Sequence, residues 1–140
     1  MIVLDTNVLS EVVKPQPSPA VLKWFARQDR ATLFTTTITQ AEMLYGLERL
    51  PDGKRRQFLV QAVNGMFAED FEGHVLNFDS PAAAAYARLL HLRKSNGLST
   101  AQSDLMIAAI ALSIGAAVAT RNITDFQAAG LAVINPWDSI

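Results

Sequence analysis

The sequence predicts a single domain over residues 1–140, a three-layer α/β/α fold with a mostly parallel central sheet of about five strands. Three observations carry this. Short apolar runs such as Ile2-Val3-Leu4 alternate with segments of helical character, and that alternation builds parallel sheets covered on both faces. Half of the residues are hydrophobic and 18% are charged, a balance that supports a core and excludes a disordered chain. A length of 140 residues suits one domain, which buries about 68–70% of its unfolded surface.

Ile2-Val3-Leu4 reads as a strand because a parallel strand buried on both faces needs no polar residue. A short helix from Thr6 to about Val13 follows. Lys14-Pro15-Gln16-Pro17 is a loop too short to separate two cores, and Ser18-Pro19 is a helix start, with Pro at the first helical position. That helix runs to Gln28, with Val21, Leu22, Trp24 and Phe25 as core candidates. Thr32 to Thr37, rich in β-branched and aromatic residues, is the second strand. Thr39 opens a helix reaching about Leu50, and Asp52 caps another reaching about Ala68. Val75 to Phe78 is the third strand. Asp79-Ser80-Pro81 begins a long helix to Ser95, closed by Asn96-Gly97. From Thr100 to Ile114 the apolar positions Leu105, Ile107, Ala108, Ala111, Leu112 and Ile114 make a helix buried almost all round, ended by Gly115. Ala116 to Ala119 and Leu131 to Ile134 are the last strands, separated by residues 121–130.

Composition removes several function classes. The chain has no Cys, which excludes a disulfide scaffold, a thiolate metal site and a cysteine nucleophile. Its two His, His74 and His91, read as surface residues and are too few for an imidazole-built zinc site. With 12 Lys+Arg against 13 Asp+Glu, the net charge of −1 is unlike that of a protein that coats nucleic acid by bulk electrostatics. The uncharged stretch Leu105 to Thr120 falls short of the ~20 residues of a membrane span. No basic leader precedes Asp5, so the expectation is a soluble, cytoplasmic protein without membrane attachment.

In parallel α/β sheets ligands sit beyond the carboxyl ends of the strands. Asp5 directly follows the first strand. Glu42 lies early in the helix after the second, Asp104 near the start of the buried helix, and Asn122 and Asp125 after the fourth strand. In a parallel sheet all of these fall at one edge. Carboxylates crowded into a low-dielectric cleft repel one another and call for a cation. An oxygen-only donor set points to Mg²⁺ or Mn²⁺, which would polarise a phosphodiester and lower the pKa of an attacking water.

Each acid also has a structural reading. Asp5-Thr6-Asn7 suits a helix cap, and Thr39-Gln40-Ala41-Glu42 matches a capping box, in which Glu reaches back to the cap amide. Asp104 would favour the positive end of its helix, although a charge on a helix buried all round is costly without compensation. Asp125 equally suits the start of a short turn. Trp24, Phe25, Tyr45, Tyr86 and Trp137 are scattered core or rim aromatics. Lys54-Arg55-Arg56 and Arg88 to Lys94 read as solvated helix faces; with Lys14 and Arg121 they are the candidate contacts to an RNA backbone.

Two other classes compete with phosphodiester hydrolysis. A phosphoaspartate phosphatase would use Asp5 as nucleophile, but would want a second Asp where Asn7 stands and a Lys after a late strand. A non-catalytic module would use the acidic pocket only to capture a basic peptide, without needing a metal.

Leu4-Asp5-Thr6-Asn7-Val8-Leu9, Thr39-Gln40-Ala41-Glu42-Met43-Leu44-Tyr45-Gly46, Asp104-Leu105-Met106-Ile107-Ala108-Ala109 and Ala119-Thr120-Arg121-Asn122-Ile123-Thr124-Asp125-Phe126 resemble the motifs of PIN-domain ribonucleases. They are most similar to VapC-type toxins of type II toxin–antitoxin pairs, in the FitB-like branch, and Val133-Ile134-Asn135-Pro136-Trp137 is similar to the end of that branch. The resemblance spans essentially the whole chain. It implies a PIN-like fold and a Mg²⁺- or Mn²⁺-dependent endoribonuclease. Asp5 and Asp104 would be the principal metal ligands, with Glu42 completing the shell or orienting water and Asp125 as a fourth acid. Thr6, Asn7, Ser103, Arg121 and Asn122 would form the surrounding, substrate-facing set. It also implies a homodimer, possible assembly into a larger toxin–antitoxin complex, and silencing by a small DNA-binding antitoxin. Some members carry an Asp where this chain has Asn122, which can hydrogen-bond a metal water but brings no charge; whether one ion or two binds stays open.

Overall fold

The computed structural model describes residues 1–138. Its strands are β1 (Ile2–Leu4), β2 (Leu33–Thr36), β3 (Val75–Leu76), β4 (Ala117–Ala119) and β5 (Val133–Ile134). They form one sheet in the order β3-β2-β1-β4-β5, and every pairing is parallel. The chain steps outward from β1 through β2 to β3, then returns to the other side of β1. The strand order therefore reverses between β1 and β4, where the crevice of an open α/β sheet forms.

Among the described residues, seven α-helices cover the sheet: α1 (Thr6–Val12), α2 (Pro19–Ala26), α3 (Thr37–Glu48), α4 (Lys54–Gly65), α5 (Ser80–Ser95), α6 (Gln102–Ser113) and α7 (Ile123–Ala128). Side chains of a strand alternate between faces, so adjacent residues of the apolar β1 serve different cores. Val3 packs with Leu89, Leu105, Ile107, Val118 and Phe126 under α5, α6 and α7. Leu4 packs with Val8, Leu9, Trp24, Met43 and Phe67 on the opposite face. The three layers expected from the sequence are present. Gly97 and Gly115, at φ +67° and +69°, follow α5 and α6 in the left-handed conformation that glycine adopts without a Cβ penalty.

Several boundaries differ from the sequence reading. The second strand ends at Thr36, whose Oγ1 accepts from the Thr39 amide at 3.0 Å and so caps α3. Thr39 is inside the helix, not at its cap, and the capping box expected over Thr39 to Glu42 does not form. Asp52 does not cap α4; that role falls to Gly53, at φ 150°, and the helix continues as a π-helical turn over Met66–Asp70. The turn places Met66 and Phe67 in the core. His74 is half-buried: its Nδ1 lies 2.8 Å from the Leu33 carbonyl and its ring stacks on Phe34. Arg93 is not on a solvated face but is 6% exposed. Among the described residues no helix is long and apolar enough to cross a membrane.

Candidate active site

The site grows from the ends of β1 and β4. The Asp5 amide donates to the Ala119 carbonyl at 3.0 Å, which draws Asp5 into the reversal point between the two strands. Its side chain is 2% exposed, and Oδ1 accepts from the Thr6 amide at 2.8 Å. Asp5 thus caps α1 while remaining at the crevice, and the two readings of this residue are compatible. Oδ2 accepts from the Thr120 hydroxyl at 2.7 Å.

Thr120 is a residue that sequence reasoning passed over. It is fully buried, and its Oγ1 also accepts from the Asn122 amide at 2.9 Å and from Asn7 Nδ2 at 3.2 Å. The signal was there, since Thr120 follows β4 as Asp5 follows β1.

Glu42 lies in the second turn of α3, and its Oε1 accepts from the Thr6 hydroxyl at 2.6 Å. Thr6 Oγ1 is also 3.0 Å from Thr39 Oγ1, so one hydroxyl ties the start of α1 to α3. Asp104 lies in the first turn of α6, and its Oδ2 accepts from Asn122 Nδ2 at 3.2 Å. The same amide donates to Asp125 Oδ2 at 3.0 Å. Asp125 Oδ1 in turn accepts from Arg93 Nη2 at 3.1 Å, an ion pair that matches the Asp125 charge.

The other expected residues divide. Asn7 is a strut, bonding Thr120 on one side and accepting from the Arg121 amide at 3.2 Å on the other. The Arg121 guanidinium lies 4.1 Å over the Trp137 ring. Ser103 sits half-buried beside Asp104 and, among the described residues, bonds to none of the acids.

Electrostatics ties three of the acids together. Burial pushes the Asp5 carboxyl up to about 6, and the charges of Asp104 and Glu42 push the same way, against the Thr120 hydroxyl and the Thr6 amide. The Asp104 carboxyl is likewise raised, first by burial and then by Glu42 and Asp125, against the Asn122 amide. Asp5 and Asp104, from separate elements, therefore share one unfavourable field with Glu42, and an added positive charge would relieve it.

Among the described residues no three His, Asp or Glu side chains already stand in a cage arrangement for a metal. The donor set still suits Mg²⁺ or Mn²⁺, which take oxygen ligands; Mg²⁺ in particular uses one or two protein carboxylates and keeps several waters. Asp104 Oδ1 and Glu42 Oε2 accept no hydrogen bond from the described residues, so both retain oxygens to offer.

Fold and site together define a parallel α/β protein with an acidic crevice at the reversal point of its sheet. The chain belongs to the PIN-domain family, whose model matches residues 2–130. It is 44% identical over 138 residues to the "VapC ribonuclease Y4jK" of Sinorhizobium fredii, covering 99% of each chain. It is 39% identical over 137 residues to "Toxin FitB" of Neisseria gonorrhoeae, covering 98% of this chain and 99% of the relative. The solved structure of FitAB bound to an IR36 DNA fragment superposes with a TM-score of 0.91 at 38% identity, covering 100% of this chain and 98% of that one.

Proposed function

We propose that this chain is a divalent-metal-dependent endoribonuclease, the toxin of a type II toxin–antitoxin pair. The observation that carries the reading is the shared field of Asp5, Glu42 and Asp104, which come from the end of β1, from α3 and from α6. Relatives whose names say ribonuclease and toxin support it over their full length.

Asp5 and Asp104 would hold the ion, with Glu42 beside them. A bound Mg²⁺ or Mn²⁺ supplies Lewis-acid polarisation of the phosphodiester and a water of lowered pKa. Thr120 and the Thr6 amide fix both oxygens of Asp5, so its carboxylate plane is set before any ion arrives. Thr6 holds Glu42 Oε1, leaving Oε2 to orient water. Asn122 holds Asp104 Oδ2 and leaves Oδ1 without a hydrogen bond from the described residues. Arg121, exposed at the same edge, would meet an RNA phosphate. Asn7 stands where a phosphoaspartate enzyme needs a second acid and is already engaged with Thr120 and the Arg121 amide, which disfavours that alternative.

The partner reading follows the FitAB complex. A small DNA-binding antitoxin would lay a segment along the groove lined by Ser10, Val13, Met43, Gly46 and Leu59 and headed by Glu42, setting a basic group among the acids. The chain itself would act as a homodimer.

The test is RNA cleavage by the purified chain. Cleavage should stop in EDTA, return with Mg²⁺ or Mn²⁺, and be absent from Asp104→Asn under all three conditions. Cleavage that persists in EDTA would overturn the metal-dependent mechanism.

A further inference from the structure

Arg93 is an unusual residue to find inside a domain of this size. It projects from the last turn of α5, is 6% exposed, and its Nε is buried without a hydrogen-bond partner among the described residues. A buried donor left unsatisfied is destabilising, and a buried ion pair is often no more stable than an apolar pair of the same volume. Arg93 is thus a poor device for stability alone. Its Nη2 bonds both the Thr100 hydroxyl and Asp125 Oδ1. Asp125 Oδ2 accepts from Asn122 Nδ2, and that same amide holds Asp104 Oδ2. The geometry is a chain from α5 to the crevice: guanidinium, carboxylate, amide, carboxylate. An amide offers two N–H donors, and here they serve two acids. Asp125 holds the Asn122 amide on the side away from Asp104, and Arg93 holds Asp125.

We propose that Arg93 is a positioning residue of the nuclease site: through Asp125 and Asn122 it fixes the Asp104 carboxylate, and Asp125 is a strut in this chain instead of a fourth metal ligand. The proposal rests on the nuclease reading above. It also gives a physical reason why position 122 carries an amide. An Asp at that position would place a third carboxylate between Asp104 and Asp125 with no N–H to join them, whereas Asn joins both.

The experiment uses the full chain with the ion pair replaced by apolar residues, Arg93→Met with Asp125→Leu, alongside Asn122→Ala and the combination of all three. Urea unfolding checks the fold, calorimetric titration with Mn²⁺ alone counts bound ions, and RNA cleavage separates kcat from KM. Residues that orient a ligand from behind typically change activity 10–100-fold, so the double variant should remain folded and lose about that much kcat, with KM within about twofold. Its Mn²⁺ stoichiometry should equal that of the unaltered chain. Asn122→Ala should show the same loss, and combining all three changes should add almost nothing, because they interrupt one chain. A double variant that binds fewer ions would make Asp125 a ligand. One that keeps full kcat would reduce Arg93 to a brace between α5 and α7, and losses that multiply in the combination would break the chain into independent parts. Each of these results overturns the proposal while the unaltered chain still cleaves RNA. If the unaltered chain does not cleave in Mn²⁺, the nuclease reading fails, and the role of Arg93 fails with it.

Discussion

The Thr6 hydroxyl donates to Glu42 Oε1 at 2.6 Å across 36 positions of sequence, and that bond assigns Glu42 to the crevice and not to the start of its own helix. The cap of α3 is supplied by Thr36, so Glu42 has no backbone amide to serve.

Glu42→Gln keeps an oxygen for Thr6 and removes the charge. Its stability should stay within about 0.5 kcal/mol of the unaltered chain, as for substitutions that break no buried contact. RNA cleavage should fall on the order of 10²-fold, the scale of losing one preorganised electrostatic group. Urea midpoints and kcat/KM measured side by side check this; unchanged cleavage would return Glu42 to a purely structural role.

Thr120→Val keeps shape and deletes a hydroxyl that serves Asp5, Asn7 and the Asn122 amide together. Leaving buried partners unpaired should cost about 1–3 kcal/mol. Activity should drop 10–100-fold as the Asp5 carboxylate loses its fixed plane. Thermal unfolding and single-turnover cleavage would show both effects, and a variant unchanged in either would remove Thr120 from the site.

Asp5 makes the metal-free fold pH-sensitive in a direction that can be worked out. Its carboxyl ionises near 3.8 when free and near 6 in the fold. Well below pH 3.8 it is protonated in both states and costs nothing. As pH rises toward and through 6 the unfolded chain gains the charge more readily, so this group's penalty grows and levels at roughly 3 kcal/mol. In EDTA, the stability difference between the unaltered chain and Asp5→Asn should therefore move in favour of the variant by about 2 kcal/mol between pH 4 and pH 7.5. Any constant packing cost of the amide drops out of that comparison. A difference that ignores pH would contradict the burial and crowding of Asp5.

The sheet was legible because its strands are short, apolar and separated by helical segments, and the edge was legible because Asp5 and Asn122 closely follow strands. What escaped was set by contacts distant in sequence. The capping motif over Thr39 to Glu42 is a local pattern, and it lost to Thr36, which the β-branched run before it had assigned to the strand. Arg93 looks like one more surface cation between Leu92 and Lys94. Only the fold, which brings Asp125 of α7 within reach 32 positions later, turns it inward. The π-helical turn at Met66–Asp70 has no sequence signature, since it follows from burying Met66 and Phe67 together.

A divalent ion bound among Asp5, Glu42 and Asp104 would relieve their crowding. The direct measurement is the Tm of the unaltered chain and of Asp104→Asn at pH 7.5, in EDTA and in millimolar Mn²⁺. Ligand present at a hundredfold excess over its Kd stabilises a fold by about 2.7 kcal/mol. Mn²⁺ should raise the Tm of the unaltered chain by several degrees and leave that of Asp104→Asn where it was. No rise in the unaltered chain, or an equal rise in both, would contradict that binding.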